Sequence, residues 1–486
     1  MITVQLNRAD FEYDIHSLVK AFFPAEKVMV SVGKKEAEEE ISFCAFTDYL
    51  EHSIEISFFA PGEGARRLLQ KRTVEVDFSN RKETKNRLKQ AYYQMLSQHT
   101  GKTLPWGSLT GIRPTKIAMA FLEAGKDEDA ICKHMKETYY ASEDKINLSI
   151  EIARREKKLL EKLDCEKGYS LYIGIPFCPS TCLYCSFTSY PLSAWEGSVE
   201  RYLDALEKEI DFTANRLKDR HLNSVYIGGG TPTTLNPEQL KRLLGKVQDS
   251  FDLSFCHEYT VEAGRPDSIT KEKLAALRAF DISRISVNPQ TMNDKTLKII
   301  GRRHTAREAE ESFYLAREMG FDNINMDLIV GLPNETLSDV KYTMERMQIL
   351  SPDNLTVHSL ALKRAARLSM FREEYQDFTF ENTEKTIDLT ADYARQMGLK
   401  PYYLYRQKNM AGNFENVGYA KAGKAGVYNI LIMEEKQTIV ACGAGSISKR
   451  VYPDGRIERS ENVKDVSQYI ERIGEMIERK RVLLED

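Results

Sequence analysis

Long apolar runs are missing from this chain of 486 residues. No stretch of about 18 apolar residues occurs and the mean hydropathy is −0.45, so no membrane-spanning helix is expected. The first residues, Met1 to His16, lack a basic start followed by an apolar stretch, so no secretory signal is expected either. Charge of one sign is also missing. Lys and Arg total 69 and Asp and Glu 72, a net charge of −3, which gives no general attraction for nucleic acid. The 8 cysteines are too few for a disulfide scaffold, and the 8 histidines are dispersed without the spacing of a histidine metal site. No internal repeat or low-complexity segment occurs. What remains is a chain with 42% hydrophobic and 10% aromatic residues, enough for a sizeable core. At roughly 150 residues per domain its length suggests about three domains, or two with one large. A reducing cytoplasm is the expected location.

Residues 1–165 read as a separate α+β unit of unknown role. Short β-rich runs at Ile2–Leu6, Lys27–Val32, Glu40–Phe46 and Ser53–Ala60 surround an amphipathic stretch at Phe11–Phe23. A mostly helical stretch is expected from Ala65 to Leu163, its last helix opening near Ser142 as N-cap. From Tyr169 the pattern alternates. Strands are expected at Leu171–Pro176, Ser224–Gly228, Glu258–Ala263, Arg284–Asn288, Asn323–Val330 and Asn354–Leu362, with amphipathic helices between them. Apolar strands separated by such helices imply a parallel sheet, and if it curls, a partial β/α barrel with its site at the C-terminal strand ends. The alternation degrades after about Glu381, with strand-like runs at Pro401–Gln407 and Thr438–Cys442 and a final helix.

Five cysteines are scattered singly, but Cys178, Cys182 and Cys185 fall within eight residues at the end of the first alternating strand. Thiolates at close spacing select zinc or an iron–sulfur cluster. Structural zinc takes four ligands, and no fourth cysteine or histidine lies nearby. Three thiolates on a four-iron cube would leave one iron open to a small molecule. The alternatives are a chance cluster or a partial zinc site.

Other strand ends carry matching features. Ser224-Val-Tyr-Ile-Gly228-Gly229-Gly230-Thr231-Pro232 ends in glycines whose backbone can approach a ligand closely. The third strand ends at Glu262, the fourth at Gln290 with Arg302 farther on, and the fifth carries Asp327 in an apolar run. A buried acid needs a partner, such as the cation of a sulfonium or amine or the hydroxyls of a ribose. Each of these residues could equally play a structural hydrogen-bonding role; their gathering at strand ends favours a site.

CxxxCxxC directly after a first strand is the signature of radical S-adenosylmethionine (SAM) enzymes. The stretches over about residues 169–450 resemble the oxygen-independent coproporphyrinogen III oxidase family of that group. The matching motifs are Tyr172 with IPFC, the three cysteines, GGGTP, Glu262, RIS with Gln290, GRRH ending at His304, MDLIVGLP, and Gly445-Ser446-Ile447-Ser448. An N-terminal domain bearing Trp106-Gly-Ser-Leu-Thr-Gly-Ile-Arg-Pro-Thr resembles the HemZ-type branch. The resemblance implies a radical SAM partial (β/α)6 barrel over residues 166–375, with an N-terminal α+β domain and a C-terminal α/β extension over 376–486 that covers the substrate. It implies a [4Fe–4S] cluster on Cys178, Cys182 and Cys185 and two SAM molecules. Tyr172, Gly229, Glu262 and Ile447 would serve the first, and Tyr184, Gly230, Thr231, Gln290, Arg302, Asp327 and Ala361 the second. The reaction implied is oxidative decarboxylation of coproporphyrinogen III to protoporphyrinogen IX through a 5′-deoxyadenosyl radical. Its implied partners are a tetrapyrrole substrate and an electron donor such as a flavodoxin or ferredoxin. Neither membrane nor nucleic acid is expected as a partner.

Three departures stand out. Gly174 replaces the family's histidine before IPFC, and Phe187 replaces a further cysteine of the best-known members. No His-Asn-x-x-Tyr-Trp box follows Tyr405, which argues against a haem chaperone. The readings held beside the leading one are a haem- or porphyrin-binding trafficking protein on a radical SAM fold, and a radical SAM tetrapyrrole methyltransferase or ring-opening enzyme. A substrate with four propionates needs cations, and Arg302/Arg303, Lys363/Arg364/Arg367, Arg406/Lys408 and Lys421/Lys424 are candidates. Residues 66–90 hold nine Lys or Arg against three acids, best explained as a solvated helix face. Gly418 to Ala425 nearly matches a phosphate-binding loop, but Ala425 lacks the hydroxyl that Mg²⁺ requires.

Overall fold

The computed structural model describes residues 1–24, 26–33, 42–61, 66–111, 113–361, 363, 366–370, 375, 377–407 and 414–485. These form two compact units. The first holds Met1–Ala153 with Arg406–Lys408 and Gly412–Phe414; the second holds Arg154–Tyr405, Asn409–Ala411 and Glu415–Asp486. Residues on both sides of position 375 belong mainly to the second unit, and the division near the N-terminal side falls between Ala153 and Arg154.

In the first unit a five-stranded sheet runs β2-β1-β3-β4-β5. Its strands are β1 (Ile2–Leu6), β2 (Val28–Val32), β3 (Phe43–Tyr49), β4 (Ser53–Ala60) and β5 (Arg67–Glu75). Helix α1 (Glu12–Phe22) buries Ile15, Leu18, Val19 and Phe22, the one-face spacing of an amphipathic helix. Helix α2 (Arg81–Thr100) starts at Asn80, whose side chain accepts from the Glu83 N–H, and buries Leu88, Tyr92, Tyr93 and Leu96 in the same core. Helices α3 (Thr115–Glu123), α4 (Glu128–Tyr139) and α5 (Glu143–Leu160) follow. The expectation of helix from Ala65 onward is corrected at β5, while Ala65 itself lies outside the described residues. β5 pairs antiparallel with β4 as an edge strand and is largely exposed, so its Arg67, Lys71 and Arg72 disguise a strand that has no apolar alternation. The basic run 66–90 is therefore part strand and part helix rather than one helix face.

The second unit is built on an eleven-stranded sheet. Six central strands are parallel neighbours: β6 (Gly168–Ile175), β9 (His221–Gly229), β10 (Glu258–Gly264), β11 (Arg284–Val287), β12 (Ile324–Val330) and β13 (Asn354–Ser359). They are buried almost throughout, which explains their near-continuous apolar runs. Leu362, the end of the expected sixth strand, lies outside the described residues. Two-residue strands β7 (Phe177–Cys178) and β8 (Tyr190–Pro191) pair beside the end of β6. The crossovers contain α6 (Val199–Arg216), α7 (Pro237–Ser250), α8 (Lys271–Arg278), α9 (Asp294–Ile299), α10 (Ala306–Glu318) and α11 (Leu337–Leu350). Capping boxes at Asn236/Gln239, Thr305/Glu308 and Thr336/Asp339 start three of them where chain leaves the sheet.

The C-terminal region extends this sheet at both ends. After α12 (Arg367–Met370) and α13 (Glu384–Gln396), β14 (Lys400–Tyr405) pairs antiparallel with β15 (Asn416–Ala420), which adds antiparallel to β13. After α14 (Val427–Glu434), β16 (Thr438–Cys442) adds parallel to β6 and carries the antiparallel β17 (Ile447–Val451) and β18 (Ile457–Glu461). Helices α15 (Val466–Glu471) and α16 (Ile473–Leu484) end the fold. β15, β17 and β18 were not expected. Each has five residues, and β17 and β18 are a polar hairpin at the sheet's edge with no period to detect.

One buried charge ties this extension to the sheet. Glu209 of α6 is fully buried and accepts from the Gly443 N–H at 2.8 Å, Asn462 Nδ2 at 2.7 Å, Tyr469 Oη at 2.5 Å and Lys480 Nζ at 2.9 Å. Lys480 is itself buried and also donates to the Ala441 carbonyl. Removing one partner strands the other charge in low dielectric. Lys480→Met is expected to destabilise the second unit by about 3 kcal/mol, read as a lower urea midpoint, and more than Arg481→Met on the exposed side of α16.

Candidate functional site

The C-terminal ends of the central strands gather at one edge of the sheet, and the expected site residues sit there. The cysteine loop follows β6, with Gly229, Gly230 and Thr231 at the end of β9. Glu262 lies on β10, Gln290 beyond β11, Asp327 on β12 and Ala361 beyond β13. Ile447 opens β17 just after the loop 443–446, where a Cβ on Gly443 would collide with the Gly174 carbonyl oxygen. Ile447 itself is exposed.

The glycines are needed for backbone approach. A Cβ on Gly230 would meet the Phe177 carbonyl oxygen at 2.5 Å, and Gly229 holds a φ of 110°. The N–H groups of Gly230 and Thr231 donate to Ile175 and Phe177 carbonyls, each at 2.7 Å. Those two N–H groups thus fasten the second strand to the cysteine strand. Thr231 is buried and its hydroxyl lies 3.5 Å from Cys178 Sγ.

The three thiols are close enough to act on each other electrostatically. Burial pushes the Cys178 thiol up to about 11, and the neighbouring Cys182 and Cys185 add to that rise. Burial likewise raises Cys185. Desolvated thiols of this kind ionise when a metal supplies the positive charge. The loop between them has no regular structure. It is held by the Leu183 N–H on the Ile300 carbonyl at 3.0 Å and the Leu368 N–H on the Leu183 carbonyl at 3.1 Å.

Beside it lies a cradle with unmatched polar atoms. Gln290 is buried with a φ of 71°, an uncommon value for a residue with a side chain, and its Oε1 has no hydrogen-bond partner among the described residues. Its backbone is pinned, the N–H donating to the Asp327 carbonyl at 3.0 Å and the carbonyl accepting from Ile329 at 2.9 Å. Arg302 is buried; it donates to the Asn288 carbonyl at 2.5 Å and to Tyr184 Oη at 3.0 Å, while its Nε is unmatched. The Asn288 Oδ1 and Ser286 Oγ are unmatched as well. Tyr184 packs on Leu297, Ile300, Ile329 and Leu360.

Deeper in the sheet, Tyr226 Oη donates to Glu262 Oε1 at 2.5 Å, and Tyr172, Tyr226 and Tyr428 stack with centroids 4.5 to 6.2 Å apart. Burial raises the Glu262 carboxyl to about 7, against the hydrogen bond from Tyr226 that lowers it. For Asp327 burial also opposes the charge, but His358 and Asn325 together hold it below the ordinary carboxylate range. Asn325 donates to Asp327 at 2.7 Å and His358 Nε2 lies 3.9 Å away. Two carboxyls of the same site are thus held on opposite sides of their usual range. His358 also lies 3.1 Å from Tyr405 Oη.

A scan against family models matches residues 172–347 to the radical SAM superfamily. The HemZ protein of Bacillus subtilis, described as oxygen-independent coproporphyrinogen-III oxidase-like, is 41% identical over 409 residues, 83% of this chain and 82% of its own. This chain belongs to the HemZ branch of the radical SAM superfamily. The haem chaperone HemW of Bacillus subtilis is 33% identical over 319 residues, 63% of this chain and 76% of its own. Coproporphyrinogen III oxidase HemN of Escherichia coli shares the fold at TM-score 0.52 and 24% identity, covering 66% of this chain and 73% of its own.

Membership in the radical SAM superfamily implies a [4Fe–4S] cluster and SAM. The donor set fits both. A four-iron cube takes each thiolate on a different iron, so its ligands need not converge on one point, and among the described residues no three His, Cys, Asp or Glu do so. The unmatched Gln290, Asn288 and Arg302 atoms beside a protonatable Glu262 suit a ligand bearing an ammonium, a carboxylate and ribose hydroxyls. Several expected cations stand elsewhere. Lys421 bonds the Ser351 carbonyl and pairs with Asp353, and Lys424 pairs with Asp322. Arg406 belongs to the first unit, its guanidinium over the Trp106 ring and on the Leu109 carbonyl. Arg364 and Lys408 lie outside the described residues. Tyr226, Asp267, Arg265 and His358 were not singled out. Tyr226 could have been, because it shares the face of Gly228 in a strand of period two.

Glu262 gives a pH signature. Its folded value near 7 exceeds the ordinary 4.5, so protonation favours the fold. The contribution is fully present below pH 4.5 and is lost as pH rises through 7. Without ligands, wild-type stability is expected to fall by up to about 3 kcal/mol between pH 4.5 and 8, and Glu262→Gln to flatten that fall in urea titrations at each pH.

Proposed function

We propose that this protein oxidatively decarboxylates coproporphyrinogen III to protoporphyrinogen IX without oxygen, in haem biosynthesis. The observation that carries the reading is the set of three cysteines in the loop after β6, whose buried member Cys182 interacts with Arg302, together with the unmatched Gln290 and Arg302 atoms at the neighbouring strand ends. The 41% likeness to HemZ over most of both chains, and the E. coli HemN fold, support the substrate. So does Phe187, two residues past Cys185. It is 72% exposed with the Lys363 ammonium 5.8 Å from its ring centre, an apolar surface with a cation at its rim, as a tetrapyrrole carrying carboxylates requires. Arg303 is a further exposed cation.

When bound, the cluster and SAM would supply a 5′-deoxyadenosyl radical able to take one hydrogen atom from the β-carbon of a propionate, so that the propionate would lose carbon dioxide, pass one electron to an acceptor and become a vinyl group. Cys178, Cys182 and Cys185 would hold the cluster. Tyr172, Glu262, Gly229 and Ile447 would line the first SAM, and Tyr184, Gly230, Thr231, Gln290, Arg302, Asp327 and Ala361 a second. The neutral Glu262 can donate a hydrogen bond where the ionised Asp327 accepts one, so the two carboxyls orient a polar ligand from opposite sides. A small electron-transfer protein of the flavodoxin or ferredoxin type would reduce the cluster. The reducing cytoplasm suits eight cysteines that are all free.

The 33% likeness to HemW supports a second reading, a haem-binding trafficking protein. One anaerobic incubation separates them. Reconstituted protein with reductant, SAM and coproporphyrinogen III is expected to release carbon dioxide and 5′-deoxyadenosine and to give a tetrapyrrole lighter by two carbon dioxides and four hydrogens on mass spectrometry. A methylated product would point to a methyltransferase, and stoichiometric haem binding without turnover to trafficking. Cys182→Ala is expected to lose the cluster absorption and all 5′-deoxyadenosine.

A further inference from the structure

Between the first two cysteines, Pro179, Ser180 and Thr181 lie outside any helix or ladder, yet one buried side chain holds them. Arg265 follows β10 by one residue, three past Glu262, and is 3% exposed. Its guanidinium is locked to Asp267 by a two-point contact, Nε to Oδ1 at 2.9 Å and Nη2 to Oδ2 at 2.6 Å. The remaining edge faces the cysteine loop. Nη1 lies 2.9 Å from the Ser180 carbonyl, 2.8 Å from Ser180 Oγ and 3.9 Å from Cys182 Sγ. Ser180 in turn donates to the Gly301 carbonyl at 3.1 Å. Arg302 also interacts with Cys182 and is bonded to Tyr184 two residues on. Cys182 is the most enclosed of the three cysteines, the one classed as buried where Cys178 and Cys185 are half-buried.

We propose that Arg265 is a positioning residue for the iron–sulfur cluster: held by Asp267, it braces the Cys178–Cys182 interval through Ser180 and donates to the Cys182 sulfur. This rests on the cluster reading. Cys178 and Cys185 have hydroxyl neighbours instead, those of Thr231 and Ser189 at 3.5 and 4.0 Å. Two consequences follow from elementary electrostatics. A hydrogen bond from a guanidinium withdraws electron density from a ligating sulfur and favours the more negative, reduced state of the cluster. A guanidinium whose own counter-charge is a neighbour in sequence, and whose fork is pre-oriented, keeps that bond at little entropic cost. Lys could supply the charge but not the simultaneous contact to Asp267, Ser180 and the sulfur.

The test uses the full-length protein reconstituted anaerobically with iron and sulfide, with iron counted per chain and the midpoint potential followed by electron paramagnetic resonance under dithionite titration. Arg265→Gln is expected to carry a cluster of lower midpoint potential, with Arg265→Lys falling between it and wild type. Asp267→Asn keeps the guanidinium charge but removes the fork that aims it, and should lower the iron held per chain. Should Arg265→Gln fail to hold iron, the Lys variant carries the comparison of potentials. Potentials equal to wild type in variants holding a full cluster would overturn the proposal. Wild type that binds no four-iron cluster would instead overturn the cluster reading on which it stands.

Discussion

The close pairing of β6 with β9 is the constraint on which the site depends. Over eight residues of β6 the two backbones run in parallel register, and they continue past the strand ends through Gly230 and Thr231 to the Ile175 and Phe177 carbonyls. Only a residue without a side chain fits at 230, where the Phe177 oxygen occupies the space of a Cβ. That contact fixes the direction in which the chain leaves β6, and so the place where Cys178 and the loop after it stand. Thr231 brings a hydroxyl to Cys178 as a by-product of the same geometry.

Around this seam the molecule spends buried charge freely. Arg265 with Asp267, Arg302 with Tyr184, Glu262 with Tyr226, and Asp327 with Asn325 and His358 all lie at or near the strand ends. Buried ionic groups add little net stability compared with apolar packing. Their concentration here is the pattern of a site that must orient a charged ligand. The Glu209–Lys480 pair differs. It sits behind the Gly443 loop and fastens the C-terminal helices to α6, so the extension that carries Ile447 is anchored rather than loosely appended.

The alternation of strand and helix from Tyr169, the helix α1 and the six parallel strands were all legible, because buried parallel strands and amphipathic helices leave periodic apolar patterns. The cysteine spacing was legible for a chemical reason, since soft ligands at that interval have few other uses. β5 was hidden by its basic residues, and β15, β17 and β18 by their brevity and by partners far away in sequence. Tyr226, Arg265 and His358 stood among ordinary polar positions until the strands were laid side by side.

The sequence by itself determined the family of chemistry, through three cysteines, a glycine-rich strand end and isolated acids in apolar strands, all of which are local statements about what a residue type can do. Tertiary structure alone decided how those groups divide their work. It showed that Gly230 and Thr231 spend their N–H groups on the neighbouring strand, that Lys421 and Lys424 are already paired, and that an arginine 83 residues away reaches Cys182. Hydrogen bonds and desolvation depend on distances between strands, and those distances exist only once the sheet has formed.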